Sequence, residues 1–134
     1  MRRRSFYLDA SALVKLVVRE PETEALVSAM GPDPALISSA LARVEVRRAV
    51  LRGSPHMESR RQMDDVLIRT NLVRIDDNVL ERASTLRPPT LRSLDAIHLA
   101  TALSVSPEVL GLITYDSSLA SAARDVGLTV LAPT

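Results

Sequence analysis

The chain has 134 residues, a formal net charge of +1, and 46% hydrophobic residues. This length suits a single globular domain over residues 1–134, and its core must be aliphatic because only 2% of the residues are aromatic. The absence of cysteine excludes disulfides and thiolate metal sites, two histidines disfavour a zinc centre, and the small net charge excludes a general electrostatic attraction to nucleic acid.

The beginning of the chain imitates a signal peptide, with basic residues before an apolar run from Phe6 to Val18. Asp9 and Lys15 interrupt that run, and it is too short to cross a bilayer. The pattern instead predicts a buried strand over residues 6–8 and a helix over residues 11–18. We therefore expect a cytoplasmic protein with no membrane segment.

The rest of the chain alternates short aliphatic runs with helical patterns. Pro21 is predicted to take the first position of a second helix, Ser93 to be the N-cap of the helix that carries Asp95, and residues 53–55 to end the third helix. The further predicted helices cover residues 21–30, 40–52, 57–69, 77–86, 93–104 and 116–125, and the further strands cover residues 36–38, 72–75, 110–114 and 128–131.

This alternation predicts an α/β fold of the doubly wound type, because parallel strands need crossover helices that cover both faces of the sheet. In such sheets ligands bind beyond the carboxyl ends of the strands. Asp9 and Asp116 each follow a predicted strand directly or within two residues. We expect both carboxylates to lie at the same edge.

Four acids in mostly apolar surroundings are the candidate functional residues, and each also has an ordinary structural explanation. Asp9 and Asp116 could cap the helices that follow them, and the helix dipole favours Asp95 near a helix start. Glu45 lies mid-helix, where the alternative is an ion pair with an arginine one turn later. Together the four would repel one another without a cation, and oxygen ligands suit Mg²⁺ or Mn²⁺. They predict a metal site that could hold a phosphodiester for hydrolysis.

Four segments surround these acids: YLDASALVK at residues 7–15, VEVRRA at 44–49, LRSLDAIHLATA at 91–102 and TYDSSL at 114–119. In this order they resemble the PIN-domain ribonucleases, and most closely the toxins of the VapBC type II toxin–antitoxin systems. The resemblance covers essentially the whole chain. It implies a PIN-like three-layer α/β/α fold with a central parallel sheet of four or five short strands.

The resemblance also implies roles for individual residues. The four acids would be both the catalytic residues and the ligands of Mg²⁺ or Mn²⁺, and Ser11 and Thr114 would support them through hydrogen bonds. The implied reaction is endonucleolytic hydrolysis of RNA by water that the metal activates, which leaves a 5′-phosphate and a 3′-hydroxyl. The implied partners are an RNA substrate, a second copy of the chain in a homodimer, and a cognate VapB-type antitoxin. The antitoxin would be clamped by the first two helices, with Val14, Val18 and Leu26.

Three alternatives to a toxin stay open. One is a housekeeping PIN-domain nuclease that processes RNA without an antitoxin, and another is a binding module that has lost its chemistry. The third is a phosphoacceptor Asp9, as in receiver domains and aspartate-based phosphatases. Ser11 stands where such phosphatases have a second aspartate, and the lysine that receivers need after a late strand is missing. The third alternative is therefore the least favoured.

Several other residues are assigned by weighing function against packing. His98 is predicted to be a packed or hydrogen-bonded structural residue rather than a general base, and Lys15 to be a surface residue. Tyr7 and Tyr115 are predicted to pack in the core rather than to stack on a base. A basic side of the Glu45 helix could contact RNA backbone or simply be solvated; it consists of Arg43, Arg47, Arg48 and Arg52.

Overall fold

A computed structural model describes residues 3–53 and 57–134. The sheet contains β1 (Ser5–Leu8), β2 (Ala35–Ser39), β3 (Thr70–Val73), β4 (Leu112–Ile113) and β5 (Val130–Leu131). The α-helices of the described residues are α1 (Ala10–Val17), α2 (Thr23–Met30), α3 (Ala42–Gly53), α4 (Met57–Arg69), α5 (Asp77–Thr85), α6 (Ser93–Ser104) and α7 (Ser117–Asp125). Within these residues no helix is both long and apolar enough to cross a bilayer. The predicted end of the third helix falls partly on Ser54 and Pro55, outside the described residues.

The five strands are all parallel, in the order β3-β2-β1-β4-β5, which confirms the predicted sheet. The chain adds β2 and β3 on one side of β1 and then crosses over to add β4 and β5 on the other. The strand order therefore reverses between β1 and β4. The crevice beyond the carboxyl ends of two such strands is where open α/β sheets bind ligands.

Alternate residues of β1 point to opposite faces of the sheet and enter two separate cores. Phe6 and Leu8 pack with residues of α1, α2, α3 and α4 on one face. Tyr7 packs with α6 and α7 on the other face and is fully buried, which confirms its predicted packing role. The sheet is thus covered on both sides, and the predicted three-layer α/β/α arrangement is confirmed.

The strand predicted over residues 72–75 begins two residues earlier, at Thr70, directly after α4. Its register pairs Val73 with Ser39, the last residue of β2, so the two strands end together. The predicted bounds were wrong because pairing with the neighbouring strand, rather than local propensity, decides where this strand stops.

The predicted start of the second helix and the predicted N-cap of α6 are also wrong. The helix α2 begins at Thr23 rather than at Pro21, and α6 begins at Ser93 itself, so Ser93 is not its N-cap. The Thr23 hydroxyl donates to the carbonyl of Lys15 at 2.8 Å and so closes the turn between α1 and α2. This side-chain bond across the turn delays the second helix by two residues.

The prediction that Lys15 is a surface residue is wrong, since its side chain is only 10% exposed. Its ammonium group donates to Glu22 at 2.9 Å and to Glu20 at 3.4 Å, and it lies 4.5 Å from the centre of the Tyr115 ring. Burial by itself lowers the pKa of Lys15, but hydrogen bonds and charges of Glu22 and Glu20 outweigh it and raise that pKa. Lys15 thus ties the α1–α2 turn to the body of the protein.

We expect Lys15→Met to lower the free energy of unfolding by about 1–3 kcal/mol, because two acids then lose the cation that offsets their partial burial. Urea denaturation measures this change. Arg19→Met is the matched control, since Arg19 pairs with Glu24 and the two side chains are 74% and 78% exposed. An exposed pair contributes less than about 1 kcal/mol. Equal losses in the two variants would contradict a structural role for Lys15.

Candidate active site

Asp9 follows β1 and is 4% exposed. One carboxylate oxygen, Oδ1, accepts the backbone N–H of Ala12 at 3.1 Å and the hydroxyl of Ser11 at 2.7 Å, so Asp9 does cap α1. The other, Oδ2, accepts the hydroxyl of Thr114 at 2.6 Å. Burial raises the pKa of Asp9, and these hydrogen bonds offset only part of that effect.

The end of β4 is joined to Asp9 through hydroxyl groups. Because Leu8 and Ile113 are paired in register, Thr114 lies beside Asp9. Thr114 donates to Asp9 and accepts the backbone N–H of Asp116 at 3.1 Å. Ser11 and Thr114 therefore hydrogen-bond to Asp9 in the way that the family resemblance implies.

Asp116 also uses its two carboxylate oxygens differently. Oδ1 accepts the N–H of Leu119 at 2.9 Å and caps α7, and Oδ2 accepts from the guanidinium of Arg92 at 2.8 Å. The capping explanation is thus correct for Asp9 and for Asp116. It does not exclude a metal, because in each residue capping occupies only one oxygen.

Arg92 bridges Asp95 and Asp116. It is the N-cap residue of α6, and its Nε donates to Asp95 Oδ2 at 3.3 Å while its Nη2 contacts Asp116. Burial and then the charge of Asp116 raise the pKa of Asp95, and the charge of Arg92 offsets only part of this. A cation from the chain itself therefore lies between two of the four acids.

Glu45 lies on α3, on the other side of the sheet from α6. Its partner among the described residues is not an arginine but His98, whose Nε2 lies 2.6 Å from Glu45 Oε1. The ring of His98 is 2% exposed and its Nδ1 lies 2.8 Å from the hydroxyl of Tyr7. The prediction that His98 is a hydrogen-bonded structural residue is confirmed.

The structure brings the predicted residues to one edge of the sheet without closing them into a cage. Asp95 and Asp116 share Arg92, and Asp9 and Asp116 share Thr114. Among residues 3–53 and 57–134, no three acidic or histidine residues are arranged to hold one metal ion. Metal binding by these acids stays a prediction.

Sequence reasoning missed Arg92 and the Glu45 partner of His98. His98 lies three residues after Asp95 on α6, a spacing that puts both side chains on one helix face and was visible in the sequence. Arg92 has the same spacing before Asp95, and the pair could have been anticipated from it. Arg92 also contacts Asp116, and His98 also contacts Glu45, both across the sheet edge. Neither contact has a local signal in the sequence.

A groove of about 730 Å³ runs beside this edge, between α1 and α3. Tyr115 lines it and is partly buried, with its ring packed against the core as predicted, and its hydroxyl donates to the carbonyl of Pro133 at 2.8 Å. The groove has apolar and basic walls, to which these residues contribute: Val14, Leu41, Val44, Leu94, Arg48 and Arg52. It offers an extended surface that adjoins Glu45.

Comparison with known sequences identifies the family. The sequence profile of the PIN domain matches residues 6–125. This chain belongs to the PIN-domain family. Its relatives within that family include Mycobacterium tuberculosis Ribonuclease VapC46, 45% identical over 130 residues, which cover 96% of this chain and 98% of that protein. Ribonuclease VapC47 of the same species is 40% identical over 134 residues, which cover 95% and 96% of the two chains.

Solved structures share the PIN fold of this chain. Mycobacterium tuberculosis VapC20, described as a Sarcin-Ricin loop cleaving toxin, superposes with a TM-score of 0.71 at 14% identity and covers 96% of this chain and 99% of its own. A toxin–antitoxin complex from Klebsiella pneumoniae gives 0.67 at 23% identity, with 96% and 97% covered. At these identities the likeness concerns the fold alone.

The raised pKa of Asp9 predicts how the stability of the fold changes with pH. Ionising Asp9 costs more in the folded than in the unfolded chain, so its charge destabilises the fold as pH rises above the ordinary aspartate pKa of about 3.9. We expect Asp9→Asn to raise the Tm of the metal-free protein at pH 7. The gain should disappear near pH 3, where Asp9 is protonated in both states.

Thermal unfolding in EDTA at several pH values measures this effect. Asp76→Asn is the matched control, because Asp76 caps α5 through the N–H of Val79 at 2.9 Å but is exposed. Aspartate and asparagine cap equally well there. A lower Tm for Asp9→Asn at pH 7 would mean that hydrogen bonds to the charged carboxylate outweigh its burial.

Proposed function

We propose that this PIN-domain protein is a metal-dependent endoribonuclease toxin that hydrolyses RNA phosphodiester bonds and is neutralised by a cognate VapB-type antitoxin. The proposal rests on the arrangement of Asp9, Asp95 and Asp116 at the carboxyl edge, where the strand order reverses. Full-length relatives named Ribonuclease VapC support the ribonuclease activity.

The donor set fits Mg²⁺ or Mn²⁺. Carboxylate and hydroxyl oxygens meet at the edge beside Asp9, and such ligands suit hard divalent cations. Asp95 and Asp116 already hold a positive group between them, the guanidinium of Arg92. A bound cation supplies Lewis acidity toward a phosphodiester and toward the attacking water.

The residues of the chain itself have distinct tasks in this proposal. Asp9, Glu45, Asp95 and Asp116 would hold the cation, and the hydroxyls of Ser11 and Thr114 orient Asp9. Arg92 would give up its contacts with Asp95 and Asp116 if those acids held a cation, and its exposed guanidinium could then contact a phosphate.

The groove supplies the binding surface for the RNA. Arg48 and Arg52 line it next to Glu45, so a sugar–phosphate backbone can pair with their guanidinium groups beside the acids. Arg47 lies 4.0 Å from Asp64 instead, outside the groove. The predicted basic side of α3 is thus divided, and two of its four arginines belong to the proposed RNA surface.

The same groove suits an antitoxin segment, because its walls also carry apolar side chains. Val14 lines the groove and Val18 is 37% exposed, but Leu26 is fully buried in the core and cannot be part of a clamp. Structural neighbours include toxin–antitoxin assemblies, one of them VapBC2 from Rickettsia felis bound to a promoter DNA fragment. A homodimer is also proposed, on the family resemblance alone.

We expect Asp95→Asn to lower the rate of Mg²⁺-dependent RNA cleavage by more than about 100-fold, since even the loss of a supporting contact to a metal ligand costs 10–100-fold. Cleavage of purified RNA with and without EDTA measures this, and expression in cells should no longer arrest growth. Asp125→Asn removes an exposed acid at the end of α7 and should cleave like the unmodified protein. Full activity of Asp95→Asn, or activity in EDTA, would contradict the proposal.

We expect Arg92→Ala to tighten Mn²⁺ binding by about two- to five-fold, because it removes the guanidinium that competes with the metal for Asp95 and Asp116 through weak, exposed ion pairs. Isothermal titration at low salt measures the affinity. Arg87→Ala removes the same charge from an exposed residue with no ion pair to another described residue, and should change the affinity little. Weaker Mn²⁺ binding by Arg92→Ala would show that Arg92 supports the acids rather than competing for them.

A further inference from the structure

A buried hydrogen-bonded chain joins the sheet to Glu45. It begins at the hydroxyl of Tyr7 on β1, passes through both ring nitrogens of His98 on α6, and ends at Glu45 Oε1 on α3. The two distances are 2.8 Å and 2.6 Å. Tyr7 and His98 are 0% and 2% exposed, so water does not compete for these bonds.

The acceptor chemistry of Glu45 indicates which ring nitrogen of His98 carries the hydrogen. An ionised carboxylate can only accept a hydrogen bond, so the 2.6 Å contact with Glu45 Oε1 calls for a hydrogen on His98 Nε2. In the neutral ring Nδ1 is then an acceptor, and the Tyr7 hydroxyl 2.8 Å away can donate to it. The Tyr7 and His98 rings also meet edge to face, with centroids 6.0 Å apart, so the imidazole cannot rotate freely.

We propose that His98, oriented by Tyr7, is a positioning residue that fixes the Glu45 carboxylate for binding a divalent cation. This inference rests on the metal-dependent function proposed above. Glu45 is 22% exposed in its side chain, and within the described residues its Oε2 has no hydrogen-bond partner. One oxygen is therefore anchored and the other is available.

Such anchoring matters because a glutamate side chain has several rotatable bonds. Without a hydrogen-bond partner, Glu45 would lose its rotamer freedom only when the metal binds. This loss of conformational entropy would lower the affinity for the metal. With His98 in place, that entropy is lost during folding instead. Partners that orient metal ligands in this way typically change metal affinity by about 10–100-fold.

Two substitutions of His98 separate the two ring nitrogens. The amide nitrogen of glutamine reaches the place of Nε2, so His98→Gln keeps a donor for Glu45. The shorter His98→Asn reaches only the place of Nδ1 and leaves Glu45 without its partner. Leu99→Val, at the neighbouring and fully buried residue of α6, is a control for general loss of packing.

Mn²⁺ affinity by isothermal titration and thermal stability are measured for all variants. We expect His98→Asn to bind Mn²⁺ about 10–100-fold more weakly, His98→Gln to bind within a few-fold of the unmodified protein, and Leu99→Val to lose stability but not affinity. Unchanged affinity in His98→Asn overturns the positioning role and leaves the proposed function intact. Equal losses in His98→Asn and His98→Gln overturn it too, because both then reflect packing.

A metal-independent measurement separates this inference from the proposed function. Long-range ¹H–¹⁵N spectra of the metal-free protein should find the His98 hydrogen on Nε2, and Tyr7→Phe should change that distribution. This measurement tests the proposed orientation of His98 even if His98→Asn fails to fold. A hydrogen on Nδ1 overturns the proposed orientation. Absence of Mn²⁺ binding in the unmodified protein, with the hydrogen on Nε2, overturns the metal function and with it the positioning role.

Discussion

The pairing of β1 with β4 is the constraint on which the site depends. These strands are neighbours only because the chain crosses the sheet after β3 and reverses the strand order. Their register, Leu8 beside Ile113, brings the Thr114 hydroxyl to Asp9, and the same hydroxyl accepts the N–H of Asp116. A shift of one residue would turn these side chains to the other face and separate the two aspartates.

The negative charges of the site acids are costly for the folded protein. Asp9 and Asp95 both have a raised pKa, because burial makes their ionisation costly and, at Asp95, the charge of Asp116 adds to it. Hydroxyl and backbone donors offset part of this cost at Asp9, and the guanidinium of Arg92 offsets part of it at Asp95. Acids with such raised pKa values, gathered at one edge of a sheet, are typical of functional sites. There the ability to bind a cation comes at a cost in stability.

The two layers of helices contribute separately to this edge. Glu45 comes from α3 on one face of the sheet, whereas Asp95 and His98 come from α6 on the other. The hydrogen bond from His98 to Glu45 crosses between them at the carboxyl ends of the strands, and Tyr7 anchors it to the central strand. Packing that orients both helices against the sheet therefore also sets the relative positions of the acids.

The sequence by itself determined the α/β alternation, the bounds of α4, the strand-end position of Asp9 and Asp116, and the hydrogen-bonded nature of His98, because periodicity, breakers and motif order are local signals. Only the tertiary structure decided the rest. The bounds of β3 follow its register with β2, Lys15 is buried because the α1–α2 turn brings Glu22 back to it, and Arg92 reaches Asp116 from 24 residues away. These contacts join residues that are distant in the chain. Local sequence patterns do not predict which distant side chains the fold brings together.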